Sequence, residues 1–161
     1  MKRLLILILL TSVSYAGYSQ AKSSDSSLTF EKSFYANFKH PKNLMDTRTP
    51  VFGIMKVWFD TKGAVDSLDF SDSIPLEFIE EVKRIKNKIN FSAIYQKLEI
   101  SDGAIPVLIP VQMDVTRSFF GPADVKKEDL DKLYLFKGHS VGGECIFYNP
   151  IYLQYIYESK N

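Results

Sequence analysis

Hydrophobic positions change period along the chain, and each change marks an element. Gly53 to Asp60 (GIMKVWFD) alternates, with Met55, Val57 and Phe59 on one face and Ile54, Lys56 and Trp58 on the other. That pattern predicts a strand with one core face and one partly covered face. Val65 to Phe70 (VDSLDF) alternates again. Asp60-Thr61-Lys62-Gly63 lies between them, with Gly63 placed to supply a positive φ, so the two runs read as an antiparallel hairpin. The period then lengthens: Phe78, Val82, Ile85 and Ile89 form one stripe at helical spacing, which predicts a helix over Leu76 to Ile89. Ser71, Asp72 and Ser73 are N-cap candidates, and Pro75 suits the first turn. Glu77, Glu80 and Glu81 lie early in that helix and Lys83, Arg84, Lys86 and Lys88 late, the order that complements the helix dipole. The charge run is therefore a solvated helix face.

Weaker patterns flank this core. Phe34, Tyr35 and Phe38 predict a short helix within Phe30 to Phe38, ended by His40-Pro41 because the residue before proline avoids the α region. Lys42 to Pro50 reads as a polar connector, and Phe91 to Ile100 as a connector with some strand character. Asp102-Gly103 is a turn. Ala104 to Val115 (AIPVLIPVQMDV) is a long apolar strand in which Pro106 and Pro110 share parity, so both missing donors lie on one side. That side is expected to be a sheet edge or a point of bending. Phe119-Phe120-Gly121-Pro122 is a break, Lys126 to Phe136 a short helix and Gly138 to Gly143 a loop. Glu144 to Tyr148 and Ile151 to Tyr157 read as two strand segments around Asn149-Pro150.

The N-terminus carries a different signal. Lys2 and Arg3 precede an unbroken apolar run, Leu4 to Leu10, followed by small residues at signal-peptidase spacing. The run is too short to span a bilayer, so residues 1–19 read as a cleaved secretory signal, cut after Ala16 or Ser19, and an uncleaved anchor is the competing reading. The expected location is the periplasm or the exterior. Residues 20–29 are a Ser-rich flexible leader. Removing residues 1–19 leaves 142 residues with 18 basic and 19 acidic groups, a net charge near −1. No basic field exists to hold nucleic acid or an anionic membrane. A chain of that length needs neither disulfide nor metal to fold.

Candidate chemistry is sparse. The chain has two histidines, His40 and His139, and one cysteine, Cys145. His139 and Cys145 flank a Gly-rich loop and are the one pair that could form a thiol nucleophile with its base. Cys145 lies in an apolar strand, where a buried, inert thiol is the plainer expectation. No HExxH, CxxC, GxSxG or P-loop pattern occurs, so no metal or other cofactor is expected. Asp66, Asp69 and Asp72 read as turn and cap residues, since nothing sets a facing carboxylate. The least ordinary feature is the tail, where Phe147, Tyr148, Tyr152, Tyr155 and Tyr157 crowd together. It reads either as strands laid on the sheet or as a Tyr-rich contact surface.

The order strand, turn, strand, helix, strand from Gly53 to Val115 resembles the TonB C-terminal domain family. GIMKVWFDTKGAVDSLDF is similar to that family's first hairpin, Pro75 to Ile89 falls at its helix, and Asn90-Phe91-Ser92-Ala93 resembles its aromatic-x-Pro-Ala step. Ile109 to Met113 resembles its Pro-containing last strand, and His40-Pro41 stands where the family has Tyr-Pro. Ser92 and His40 depart from the pattern, and residues 20–30 are too few for a periplasm-crossing spacer. The resemblance implies an α+β fold over residues 30–115: an antiparallel sheet of three or more strands with one main helix packed on it. Residues 116–161 form a strand-rich extension packed on the same domain. It implies a stand-alone exported relative, of Bacteroidetes type, acting as a non-catalytic interaction module that binds a protein segment by strand addition. An outer-membrane transporter or a TonB-system component would be the partner. The positions carried over as partner contacts are His40, Pro41, Val107, Leu108, Ile109 and Val111. The alternatives are a thiol-dependent enzyme using Cys145 and His139, and a structural, self-associating envelope protein.

Overall fold

A computed structural model describes residues 29–100, 105–117 and 124–157. The signal segment, most of the leader, the Asp102-Gly103 turn and the Phe119 to Pro122 break lie outside the described residues. The fold is mixed α+β, with four of the described helices on one face of a five-stranded sheet.

The hairpin forms as the alternation requires. Strands β1 (Val51–Phe59) and β2 (Val65–Phe70) pair antiparallel, with Val57 opposite Leu68 and Met55 opposite Phe70. The Asp60 carboxylate accepts the backbone N–H groups of Lys62 and Ala64, each at 2.8 Å, and so folds the turn onto itself. Gly63 takes φ 79°, and the Tyr95 ring sits 2.7 Å from where a Cβ would be. Met55, Val57 and Phe59 are buried on the helix side, as their parity predicts.

Four short helices close that side. Helix α1 (Phe30–Asn37) starts at Thr29, whose hydroxyl accepts the N–H of Lys32 at 3.3 Å. Phe30, Phe34 and Phe38 face inward and build an aromatic seam, with Phe30 against Phe91 at 5.4 Å and Phe38 against Phe78 at 5.1 Å between ring centroids. Helix α2 (Lys42–Thr47) occupies the expected connector and turns off at Arg48, a left-handed residue. Helix α3 (Leu76–Ile85) buries Phe78, Val82 and Ile85 completely. Each fully buried side chain of this kind contributes about 1.5–3 kcal/mol. The predicted stripe continues, but as a 3₁₀ turn over Lys86–Lys88 that delivers Ile89 to the core in extended conformation. Phe91 to Ile100 differs from expectation: it forms helix α4 (Ser92–Lys97), because Ile94 and Leu98, one turn apart, both pack into the core.

The long strand β3 (Val107–Arg117) is the centre of the sheet. On one side it pairs antiparallel with β1, from Val51 opposite Met113 to Val57 opposite Val107. On the other it pairs in parallel with β6 (Ile146–Phe147) and β7 (Ile151–Tyr157). The expected antiparallel sheet thus holds for β2, β1 and β3, whereas the tail adds a parallel edge. The intervening residues 118–145 are long enough for the crossover that parallel pairing demands. The expectation for the prolines is half met. Ile54 gives its N–H to the Ser71 hydroxyl and its carbonyl to the Ser71 N–H, so it faces β2, and its partner Pro110 faces the tail. Pro106 and Pro110 therefore point their missing donors at the tail, as parity requires, yet β3 is interior. The tail accommodates them by bending: Leu108 pairs with Phe147 but Val111 with Ile151, so Asn149-Pro150 carries one extra residue.

The opposite sheet face is covered at one end only. Helix α5 (Lys127–Lys132) leads into a small hairpin, β4 (Leu135–Phe136) and β5 (His139–Ser140). Phe136 packs on Ile54 and Leu108, and the Lys56 ammonium lies 4.2 Å from the Phe136 ring centroid. Asp72 fixes this hairpin, its carboxylate accepting the N–H groups of Lys137 at 2.8 Å and Gly138 at 2.7 Å. Beyond that cover, Gln112, Asp114, Tyr152 and Gln154 share the open part of the face with Ile156.

Candidate functional site

The structure divides the sequence-derived contact residues into two groups. Val107, Leu108, Ile109 and Val111 are buried in β3, which has strands on both sides. Their backbone groups are already committed to β1 and to the tail, so this strand offers no place for an added one. His40 and Pro41 instead border a surface groove of about 370 Å³ between the Lys39 to Asn43 segment and α3.

A carboxylate holds that groove together. Glu81 accepts the Lys39 backbone N–H at 2.7 Å and both arms of the Arg84 guanidinium at 2.7 and 2.6 Å. Burial alone would raise the Glu81 pKa, but the Arg84 and Lys39 hydrogen bonds and charges outweigh it and hold the carboxyl below its usual range. Arg84 also donates to the Asn37 carbonyl at 3.3 Å, closing the end of α1. These contacts make the groove a joint between α1 and α3. The His40 ring turns away toward Phe38, at 5.5 Å, and Tyr155 of β7, at 5.0 Å. Its Nε2 is buried without a hydrogen-bond partner, and burial lowers its pKa, so the neutral imidazole is the resident form.

The two outer strands of the sheet differ in character. β2 carries Asp66 and Asp69, shifts register against β1 at Trp58/Phe59, and is clamped by the Lys137–Asp69 ion pair at 3.0 Å. Charges and irregular register are the usual protections of a sheet edge. β7 reads Ile-Tyr-Leu-Gln-Tyr-Ile-Tyr, with no charge, proline or glycine. Among the described residues it pairs with β3 alone. Its backbone polarity follows from β3. Leu108 accepts the Tyr148 N–H at 2.9 Å, so even-numbered β3 residues face the tail. In a parallel ladder each such residue bonds the neighbours of its register partner. Gln112 is opposite Tyr152, so Ile151 and Leu153 turn their backbone groups inward. Tyr152, Gln154 and Ile156 turn theirs outward.

Side chains of β7 obey the same alternation. Ile151 and Leu153 are buried against the helices, while Tyr152 and Ile156 are 49% and 60% exposed. Tyr152 donates to Asp114 at 2.8 Å, and that hydrogen bond raises the phenol pKa. The tail is anchored upstream by Tyr148, whose hydroxyl donates to Glu31 at 2.9 Å and whose ring meets Phe30 edge-on at 5.7 Å. Burial first, then the Glu31 hydrogen bond and charge, push the Tyr148 pKa up to about 12. The reading of the aromatic tail as strands laid on the sheet thus holds, and its other face leaves Tyr152 and Ile156 exposed. Hydrophobicity alone does not say which strand lies outermost; the absence of charge over Ile151 to Tyr157 was the available signal.

The remaining candidates stay apart. His139 lies exposed on β5, and Cys145 is half-buried near Ile54, Leu108 and Phe136, with no hydrogen bond between the two. Among the described residues no group of three or more His, Cys, Asp or Glu side chains could hold a metal ion. None of their helices is long and apolar enough to cross a membrane. Comparison with protein-family models, with curated proteins and with solved structures finds no match.

Proposed function

We propose that this chain is a non-catalytic protein-interaction module of the cell envelope that takes an extended segment of a partner along the outer edge of β7. The observation that carries the reading is the row of outward backbone groups on Tyr152, Gln154 and Ile156, in a strand without charge, proline or glycine that pairs, among the described residues, with β3 alone. Main-chain hydrogen bonds supply the affinity in this mode, and the alternating Tyr152 and Ile156 side chains supply selectivity. The hairpin, helix and central strand follow the order of the TonB C-terminal domain, and that resemblance points to a segment of an outer-membrane transporter or a TonB-system component. The signal-like N-terminus supports an exported location.

The test is a crosslinked capture from the native envelope, run with the wild-type chain and with Gln154→Pro. Proline at 154 removes an outward N–H and leaves the β3 ladder intact, so its melting curve should match the wild type. Loss of the captured partner in Gln154→Pro is expected. Retention of the same partner at the same yield would refute edge pairing.

A further inference from the structure

The β7 edge is self-complementary. Gln154 is the central residue of the seven-residue strand Ile151–Tyr157 and its one polar amide. An antiparallel partner related by a two-fold axis through Gln154 would set Tyr152 opposite Ile156 and Leu153 opposite Tyr155. Each of these pairs joins an aromatic to an aliphatic side chain, a favourable cross-strand combination. The axis sets Gln154 against itself, and a primary amide is its own complement, donor to acceptor in both directions. Backbone parity agrees with this register: the outward residues Tyr152, Gln154 and Ile156 meet only one another across the axis. The pairing gives about six inter-chain backbone hydrogen bonds. No charge lies on the strand, so no like-charge pair opposes the union. The other sheet edge lacks this property, since Asp66 and Asp69 place negative charge on β2 of both copies.

We infer that, when no other partner occupies it, the β7 edge is covered by β7 of a second copy, giving a two-fold dimer with a sheet continuous through Gln154. The inference rests on the edge reading above and names the resting occupant. An edge this apolar, exposed in an exported chain, would otherwise be a site of uncontrolled association, and a closed isologous pair removes it. Partner binding and dimerisation then compete for the same backbone groups.

Sedimentation velocity of the purified chain across a concentration series tests this. The wild type is expected to pass from monomer to dimer. Gln154→Pro, which deletes an outward donor at the axis, and Gln154→Lys, which sets two ammonium groups face to face, should each weaken association, Gln154→Pro by at least about tenfold. An equimolar mixture of Gln154→Lys and Gln154→Glu should recover dimer, which a misfolded variant could not do. A wild type that stays monomeric, or a Gln154→Pro variant that dimerises as the wild type does, overturns the inference. A photo-reactive residue at position 154 separates this failure from that of the edge reading. Crosslinks to a different chain with a monomeric wild type leave the edge reading standing. Neither crosslink nor dimer removes both.

Discussion

Tyr148 joins the C-terminal tail to the first helix through one phenol–carboxylate hydrogen bond, and Tyr148→Phe deletes that bond while keeping the ring. The phenol donates to Glu31 at 2.9 Å, and the ring keeps its edge contact with Phe30 and the Lys97 ammonium 4.9 Å from its centroid. A hydrogen bond to a charged acceptor is worth about 1.5–3 kcal/mol when buried. Glu31 is only partly buried, so we expect about 1–2 kcal/mol at neutral pH, a drop in Tm of about 3–8 °C. The pH dependence follows from the two shifts. Burial opposes charge on Glu31, but its backbone hydrogen bond, Tyr148 and Lys97 prevail and lower its pKa from 4.5. A depressed carboxyl stabilises the fold above its unfolded pKa and loses that contribution as pH falls through the folded value. The Tyr148 pKa rises from 10.0 to about 12, so its contribution is complete below pH 10 and is lost as pH rises toward 12. The difference between wild type and Tyr148→Phe should therefore be flat from about pH 5 to 9 and shrink outside that range. Urea unfolding at several pH values measures it. A difference below about 0.3 kcal/mol at pH 7, or one independent of pH down to 3, would refute the account.

Other expectations concern the joints of the fold. Ser71→Ala should cost about 1–3 kcal/mol in urea unfolding, because it strips the Ile54 N–H of its acceptor in a buried position and leaves Ser73 without its hydroxyl partner at 2.9 Å. Gly53→Ala should cost about 1–3 kcal/mol, because its Cβ would overlap the Ile74 side chain and lie 2.7 Å from the Ser71 hydroxyl; calorimetry reads this as a lowered Tm. His40 is held neutral by burial, so its folded pKa lies below 6.5 and its contribution is lost as pH falls beneath the unfolded value. His40→Phe should flatten the stability profile between pH 5 and 7, and an unchanged slope would assign that slope to other groups.

Legibility in the sequence tracked the range of the forces involved. The β1–β2 hairpin, its Asp60–Gly63 turn and the α3 stripe were legible because alternation, turn chemistry and helical period each act within a few residues. Helix α4 was not, because Ser92 to Lys97 is too short for its own periodicity to outweigh the aromatic and branched residues around it. Packing of Ile94 and Leu98 decided it. Among the expected contact residues, only His40 and Pro41 lie near the surface. Val107 to Val111 were carried over from the family resemblance alone, and the strand lies instead between β1 and a tail bent to accept its prolines.

By itself, the sequence determined the class of the fold, the hairpin with its turn, the main helix, and the parity that turns Pro106 and Pro110 to one side. Only the tertiary structure decided which strand is central and which is outermost. Strand order depends on pairings between segments far apart in the chain, here Val111 with Ile151 and Leu108 with Phe147, and no local pattern encodes a parallel crossover. The same distant pairing makes an uncharged, aromatic tail the outer strand among the described residues, with Gln154 at its centre.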